Sequence, residues 1–385
     1  MSVPAAFTYL TKMNERGASD LYLTVGYPPT LRIENDLEPL RSEPLTPDEI
    51  NDILSEILTS RQMRDFEAHM ELNSAIDMGQ HGRFRVNAMR QRQMPGLVIR
   101  RIISQIPSFE ELRLPSVLES LSMERRGLIL VTGMTGSGKS TTLASMLNAR
   151  NTNEEGHIIT IEDPIEYYHE HKKCVVTQRE VGVDTESFSV AMKNALRQRP
   201  DVILVGEIRD RDVMEQALTT AETGHLCLAT LHTNNAYQAI ERIVNFFPEE
   251  FHNQVRLNLS MNLKAIISQR LLPCLQGGMA PAMEIMLNQG LIRDLIHEGK
   301  YDKISEVMEQ NNSTGMCSFD QSLMGLYQQG LISEETAISQ SDKPSDMQIK
   351  LQQAKLGGSG ENAFEQLDTS VLSVFINAMN VGVIN

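Results

Sequence analysis

Four short, nearly unbroken apolar runs punctuate the middle of the chain: Leu128-Ile129-Leu130-Val131-Thr132, His157-Ile158-Ile159-Thr160-Ile161, Asp201-Val202-Ile203-Leu204-Val205 and His225-Leu226-Cys227-Leu228-Ala229-Thr230. A strand that is apolar on both sides belongs in a sheet covered on both faces. Between the runs, apolar residues recur at helical spacing, as at Phe188, Met192 and Ala195. Strand alternating with helix predicts a three-layer α/β core. From about residue 235 the pattern reads as largely helical through Leu295.

The first hundred residues read as a smaller mixed α/β unit. Ser19 to Val25 alternates, the turn Gly26-Tyr27-Pro28-Pro29 stops it, and Thr30-Leu31-Arg32-Ile33 resumes as a second strand. Thr46-Pro47-Asp48-Glu49 predicts a helix start, with threonine as cap, proline just inside and acids in the first turn. Phe84–Met89 and Leu97–Ile103 are further strand candidates, and Gln105-Ile106-Pro107-Ser108 reads as the exit. The predicted division is an N-terminal domain over 1–105, a linker over 106–115, a core with C-terminal helices over 116–340 and a partly flexible extension over 341–385. Within that extension Lys355-Leu356-Gly357-Gly358-Ser359-Gly360 reads as flexible, and the apolar stretch from Val371 to Val383 as a weakly docking or partner-binding segment.

Composition narrows the function classes. A 385-residue chain with 41% hydrophobic and 22% charged residues is globular and long enough for two domains. Its formal charge of -15 repels phosphate backbones, so nucleic acid is not the expected main partner. No run of about 18 apolar residues occurs, and the opening MSVPAAFTYLTKMNERG lacks a secretory h-region, so a cytoplasmic location is expected. Cys174, Cys227, Cys274 and Cys317 are scattered singly, without disulfide or zinc-knuckle spacing.

The chemistry concentrates after the first apolar run. Gly133-Met134-Thr135-Gly136-Ser137-Gly138-Lys139-Ser140 has the full GxxxxGK[ST] spacing between a strand and the helix-like Thr141–Arg150. Its glycines let backbone N–H groups and a helix N-terminus face phosphates, Lys139 can reach the β/γ oxygens, and the Ser140 hydroxyl suits Mg²⁺. Hydrolysis also needs carboxylates, and two later runs end in them. One leads into Glu162-Asp163-Pro164-Ile165-Glu166, where proline forces a turn. The other ends in Gly206-Glu207, a Walker-B-like element with glycine where aspartate is more usual, leaving Glu207 for a water-mediated Mg²⁺ contact. His225 and His232 flank the last run seven residues apart, wrong for a helical metal pair, and read as neutral imidazoles sensing a γ-phosphate or bonding a carboxylate.

Taken in order, Gly133–Ser140, Thr160–Glu166, Val205–Asp210 and Ala221–His225 through Leu231-His232-Thr233 resemble the Walker A, Asp box, Walker B and His box of the secretion ATPases of type II and type IV pilus systems. The resemblance covers roughly residues 5–335. It implies an α/β fold, with a RecA-like P-loop NTPase core preceded by a small PAS-like α/β domain. ATP and Mg²⁺ would bind at Gly133 to Thr141, with Ser140 and Glu207 on the metal side. Glu166 is implied as catalytic base, Glu207 as the Walker B acid, and Arg85 and Arg100, in or near Gly82-Arg83-Phe84-Arg85-Val86-Asn87, as the arginines completing the site. His225 and His232 match the His-box positions. The family further implies a homo-hexameric ring at the cytoplasmic face of the inner membrane, acting on the pilus platform protein.

Within that family the chain looks like a pilus retraction ATPase, through Gly17-Ala18-Ser19-Asp20-Leu21-Tyr22-Leu23 and the absence of the leader region and tetracysteine motif of extension ATPases. Its extended C-terminal region resembles the accessory retraction ATPase, which implies the principal retraction ATPase ring as a partner. One departure stands out. Retraction ATPases carry Ala-Ile-Arg-Asn-Leu-Ile-Arg where this chain has Leu291-Ile292-Arg293-Asp294-Leu295-Ile296-His297. The apolar positions are kept, so a packing helix is expected. The alternatives are an extension or type II secretion ATPase of the same family, a RecA-like nucleic-acid translocase, a ring partner with vestigial activity and a small-molecule kinase.

Overall fold

A computed structural model describes residues 5–33, 36–79, 82–102, 105–311 and 315–356. The Gly357–Gly360 and Val371–Val383 segments singled out above lie outside them. The chain divides into two compact units, one of Met1–Gln105 with Glu166–Tyr168 and the other of Ile106–Ile165 with His169 onward.

The first unit runs α1 (Ala5–Glu15), β1 (Asp20–Thr24), β2 (Thr30–Ile33), β3 (Asp36–Pro39), α2 (Pro47–Ile57), α3 (Ser60–His69), β4 (Glu71–Asp77), β5 (Arg83–Gln91) and β6 (Met94–Ile102). Its strands form one antiparallel sheet in the order β3-β2-β1-β6-β5-β4. Alternation decides which face is buried: Leu21, Leu23, Phe84, Val86, Leu97 and Ile99 turn inward and pack with Leu10 and Met13 of α1 and Ile50 and Ile53 of α2. The predicted start of α2 is observed. The Thr46 side chain accepts from Glu49 N while the Glu49 carboxylate accepts from Thr46 N, with Pro47 in the first turn. The sequence reading passed over α1, α3, β3 and β4. Strand β4, Glu-Leu-Asn-Ser-Ala-Ile-Asp, carries little β propensity of its own and is held by its pairing with β5.

The second unit runs α4 (Ser116–Ser122), β7 (Gly127–Thr132), α5 (Lys139–Asn153), β8 (Gly156–Glu162), β9 (Cys174–Glu180), α6 (Phe188–Ala195), β10 (Val202–Val205), α7 (Arg211–Glu222) and β11 (Leu226–Leu231). It continues with α8 (Ala236–Asn245), α9 (His252–Asn262), β12 (Leu263–Pro273), β13 (Met279–Leu287), α10 (Leu291–Glu298), α11 (Ile304–Gln310), α12 (Phe319–Gln328), α13 (Glu334–Gln340) and α14 (Pro344–Leu356). The sheet order is β13-β12-β7-β11-β10-β8-β9, parallel except for the β12–β13 pair. The apolar runs are β7, β8, β10 and β11, and they supply both faces. Leu128 and Leu130 join one core with α6 and α7, while Ile129 and Val131 join another with Leu143 and Met146 of α5.

The helical reading of 235–295 is corrected by β12 and β13, an antiparallel hairpin in the middle of that span. A buried strand shows an apolar run that periodicity cannot tell from a buried helix. The turn around Gly277 and Gly278, both at positive φ, was the discriminating signal. The edge strand β9 was also unforeseen. Helix α10 forms over the departed motif, with Ile292, Leu295 and Ile296 buried and Arg293, Asp294 and His297 exposed. Helices α12 to α14 close a separate core over the hairpin, made of Phe319, Leu323, Ala337, Met347 and Leu351 with Leu272 and Ala282.

Two packing details carry consequences. Glu284 of β13 is buried, its carboxyl accepting from Ala236 N at 2.7 Å and from Ser268 Oγ at 3.0 Å, and burial pushes its pKa up to about 7. Gly206, just past β10, lies so close to β8 that a Cβ there would meet Glu162 Cα at 3.2 Å and Ile161 O at 3.3 Å. That approach explains why glycine stands where an aspartate is usual.

Two outcomes are expected. The Glu284 carboxyl holds its proton in the folded state up to about 7, against 4.5 for an ordinary glutamate. Its contribution to stability is therefore full below 4.5 and lost as pH rises through 7. Between about pH 5 and pH 8 the melting temperature of the native chain should fall relative to Glu284→Gln by roughly 3 °C or more, read by calorimetry. Gly206→Ala forces backbone atoms of β8 apart, and chemical denaturation should record a loss of about 1–3 kcal/mol.

Candidate active site

The predicted phosphate loop begins where β7 ends. Gly133 takes φ +145°, and a Cβ on it would meet Gln269 O at 2.4 Å and Ser137 Oγ at 2.5 Å, so no side chain fits there. Gly138 takes φ +86° and caps α5, whose first residue is Lys139. Met134, Thr135 and Gly136 are exposed at the loop tip, Ser140 and Thr141 are half-buried, and Ser137 and Lys139 are buried. The Lys139 ammonium donates to Gly133 O at 2.8 Å and Met134 O at 2.9 Å, and is thereby held inside the loop. The buried Ser137 hydroxyl has no hydrogen-bond partner among the described residues. A curled loop of amides on a helix N-terminus, with an enclosed ammonium and an unsatisfied hydroxyl, is a donor set that fits an anionic oligophosphate. The adjacent Ser140 hydroxyl is a hard oxygen of the kind Mg²⁺ takes.

Beside the loop lies a cavity of about 370 Å³, bounded by Gly138 and Thr141, by Leu112 and Leu114 of the segment read as a linker, and by Leu271 and Pro281 of the hairpin. Its walls mix apolar side chains with polar ones such as Glu111 and Arg113, and a cavity of this size next to a phosphate cradle has room for a nucleobase. Sequence reasoning missed these wall residues. Their signal was the spacing of Phe109, Leu112 and Leu114 in a stretch taken as a connector, all of which pack on the α5 side of the core.

Strand polarity brings the other candidates to the same edge. In the order β7-β11-β10-β8, the residues just past each C-terminal end are Gly133, His232, Gly206-Glu207 and Asp163, laid out at roughly 4.8 Å per strand. His232 Nε2 lies 3.2 Å from Glu207 Oε1, Arg209 Nε donates to Glu207 Oε2 at 2.7 Å, and Arg209 lies 3.2 Å from Asp163 Oδ2. Burial, then the positive charge of Lys139, pushes the His232 pKa below its ordinary value, against the pull of Glu207. Its imidazole is therefore neutral at pH 7. Glu162 accepts from Thr160 Oγ1 at 2.6 Å and turns toward Gln178 of β9 at 3.3 Å. Arg209 was quoted in the motif but given no role; its part shows only once β8 and β10 are neighbours. Asp210, the next residue, caps α7 by accepting from Val213 N.

Glu166 follows the cis Asp163–Pro164 bond, is exposed, and groups with the N-terminal unit. In that unit Arg85 of β5 and Arg100 of β6 are cross-strand partners, and Arg100 Nε donates to the buried Asp20 at 2.8 Å. Asp20 was another omission, though it stands in the quoted Gly17–Leu23 stretch. His225 precedes β11, so parallel pairing puts it at the opposite end of the sheet from His232, roughly 20 Å along the strand. There Nδ1 lies 3.1 Å from Thr223 Oγ1.

Among the described residues no helix is long and apolar enough to cross a membrane. The family described as type II/IV secretion system protein matches residues 11–355. The type IV pilus ATPase PilU of Pseudomonas aeruginosa is 48% identical over 353 residues, 91% of this chain and 92% of the relative. The type IV pilus retractation ATPase PilT of the same organism is 44% identical over 332 residues, 86% and 96% of the two chains. The solved pilus retraction motor PilT with bound ADP superposes with a TM-score of 0.85 at 42% identity, over 90% of this chain and 100% of that one. The Legionella pneumophila ATPase DotB follows the same α/β fold, with a TM-score of 0.76 at 25% identity over 87% and 95% of the chains. On the phosphate loop, the acids beside it and these matches, the chain belongs to the type II/IV secretion system protein family, among relatives named as ATPases.

Proposed function

We propose that the chain hydrolyses ATP as a ring-shaped motor driving or assisting type IV pilus retraction, in the accessory position beside a principal retraction ATPase. The observation that carries the hydrolytic reading is the buried Lys139 ammonium enclosed by an amide cradle on the same sheet edge as the Glu207–His232 pair. Likeness to relatives named for the type IV pilus supports the biological setting, and the extended C-terminal region is the ground for the accessory placement. In this reading the ring is a homo-hexamer at the cytoplasmic face of the inner membrane, its output passed to the pilus platform protein.

The loop from Gly133 to Thr141 receives the triphosphate, and Lys139 leaves the carbonyls of Gly133 and Met134 for the β/γ oxygens. Magnesium, held by the Ser140 hydroxyl and through water by Glu207, would neutralise charge on the transferred group. The cavity beside Gly138 takes the base. In this reading His232, neutral and 3.2 Å from Glu207, senses the terminal phosphate. Glu166 orients or deprotonates the attacking water, and Arg85 and Arg100 of a neighbouring copy supply guanidinium charge to the transition state. Asp20, by accepting from Arg100 Nε, anchors that guanidinium for the task. His225, at the far end of β11, stays outside the phosphate-facing set.

Purified Lys139→Ala should lose nucleotide binding, and Glu166→Gln should keep binding while losing at least about 10²-fold in turnover, with folding intact by circular dichroism. In cells lacking this gene, fluorescent pili should regain retraction with the native chain and not with Lys139→Ala. Undiminished hydrolysis in Glu166→Gln removes that residue from the base role. Neutral His232 is lost as pH falls through its depressed pKa, so turnover should hold from about pH 8 down to its ordinary value of 6.5 and decline only below that. His232→Asn should flatten that acid limb at roughly tenfold lower turnover.

A further inference from the structure

One buried residue outside the motifs lies against the phosphate loop at both ends. Gln269 of β12 is 4% exposed, and its backbone carbonyl occupies the space that a Cβ on Gly133 would need, 2.4 Å from that position. Its amide nitrogen stands 2.8 Å from where a Cβ on Gly138 would lie, and its amide oxygen accepts from Thr142 Oγ1 in the first turn of α5 at 2.8 Å. The loop's first and last glycines and the helix that presents its amides therefore rest on one residue. The hydrogen bond joins positions 127 residues apart and is fully buried, so its geometry is not averaged by solvent.

The neighbours of Gln269 anchor it. Ser268 points to the other face of β12 and donates to Glu284, which also accepts from Ala236 N at the start of α8. Arg270 pairs with Asp342 at 2.6 Å, donates to Gln340 O and stacks on Phe319 at 3.8 Å from the ring centre. Three consecutive residues thus tie β12 to α8, to α5 and to the helices α12–α14, which leaves Gln269 little freedom to shift.

We propose that Gln269, through Thr142, is a positioning residue that holds the phosphate loop in its binding conformation before nucleotide arrives. The proposal rests on the nucleotide reading of the loop. It assigns Gln269 to the cost of ordering the cradle and not to the chemical step, which predicts a change in affinity with turnover conserved.

The test uses the full chain with Gln269→Leu, Thr142→Val, Thr142→Ser and the Gln269→Leu/Thr142→Val double variant. In nucleotide-free protein, hydrogen exchange of the amides from Gly133 to Lys139 should quicken several-fold in Gln269→Leu and Thr142→Val. ATP-Mg²⁺ titration should show a KM raised about three- to tenfold in each, with kcat within roughly twofold of the native chain. Thr142→Ser restores the donor and should return both readings to native, and the double variant should be no worse than the poorer single one. Thr142→Val changes one hydroxyl to a methyl and carries the test should Gln269→Leu fail to fold. Lowered melting temperature with unchanged loop exchange and unchanged KM overturns the positioning role while the native chain still binds ATP-Mg²⁺. A native chain that binds no ATP-Mg²⁺ overturns the nucleotide reading, and this proposal with it.

Discussion

Parallel pairing of β7, β11, β10 and β8 is the constraint from which the site follows. Thr132 is level with Leu231, Ala229 with Val205, and Val205 with Ile161, so the residues that leave these strands emerge within a narrow band on one edge. That register is set by side chains buried on both faces, among them Ile129, Val131, Ile203 and Cys227, none of which has any chemistry to perform. A fully buried aliphatic side chain contributes about 1.5–3 kcal/mol, and a one-residue slip would exchange the two faces of a strand at once. The placing of Gly133, Glu207 and His232 is thus a by-product of hydrophobic burial, and it is rigid because burial is.

Each carboxylate of the Glu207 group has a hydrogen-bonding partner on that edge, though one guanidinium charge serves two acids. Glu207 is shared between Arg209 and a neutral His232, and Arg209 reaches on to Asp163. The Lys139 ammonium, desolvated by its loop, is compensated by carbonyl dipoles. An arriving magnesium-bound triphosphate would exchange partners with groups already aligned, which keeps the reorganisation small. Burial first, and then the same ammonium, keeps the His232 imidazole neutral, so the phosphate-loop lysine adds to the bias on its neighbour.

Legibility in the sequence followed the range of the interaction. The phosphate loop, the capping box at Thr46 and the four apolar strands are written in contiguous residues, and each was readable because local geometry and local composition agree. The hairpin β12–β13 was read as helix because Leu263 to Pro273 is buried by partners far away in the chain, which leaves no alternation to detect. Arg209, Asp20 and Gln269 were invisible as site residues for a related reason. Their partners Asp163, Arg100 and Thr142 lie 46, 80 and 127 positions away, and nothing in the local pattern announces such a bond. The glycine at 206, an apparent defect in the Walker B element, becomes intelligible only beside the backbone of β8.

Helix α10 shows where the chain can change without disturbing its phosphate-loop edge. Ile292, Leu295 and Ile296 face the core, and these are the positions that keep the family's apolar pattern. Leu291, Asp294 and His297, where the chain departs from the retraction motif it resembles, are exposed. Exposed exchanges of this kind alter stability by less than about 0.5 kcal/mol, so the departure is nearly free in folding terms. The nucleotide edge has no such latitude, since Gly133 and Gly206 are each confined by backbone atoms. In this chain the outer face of α10 can therefore change at little cost to folding, while the strand ends beside the phosphate loop cannot.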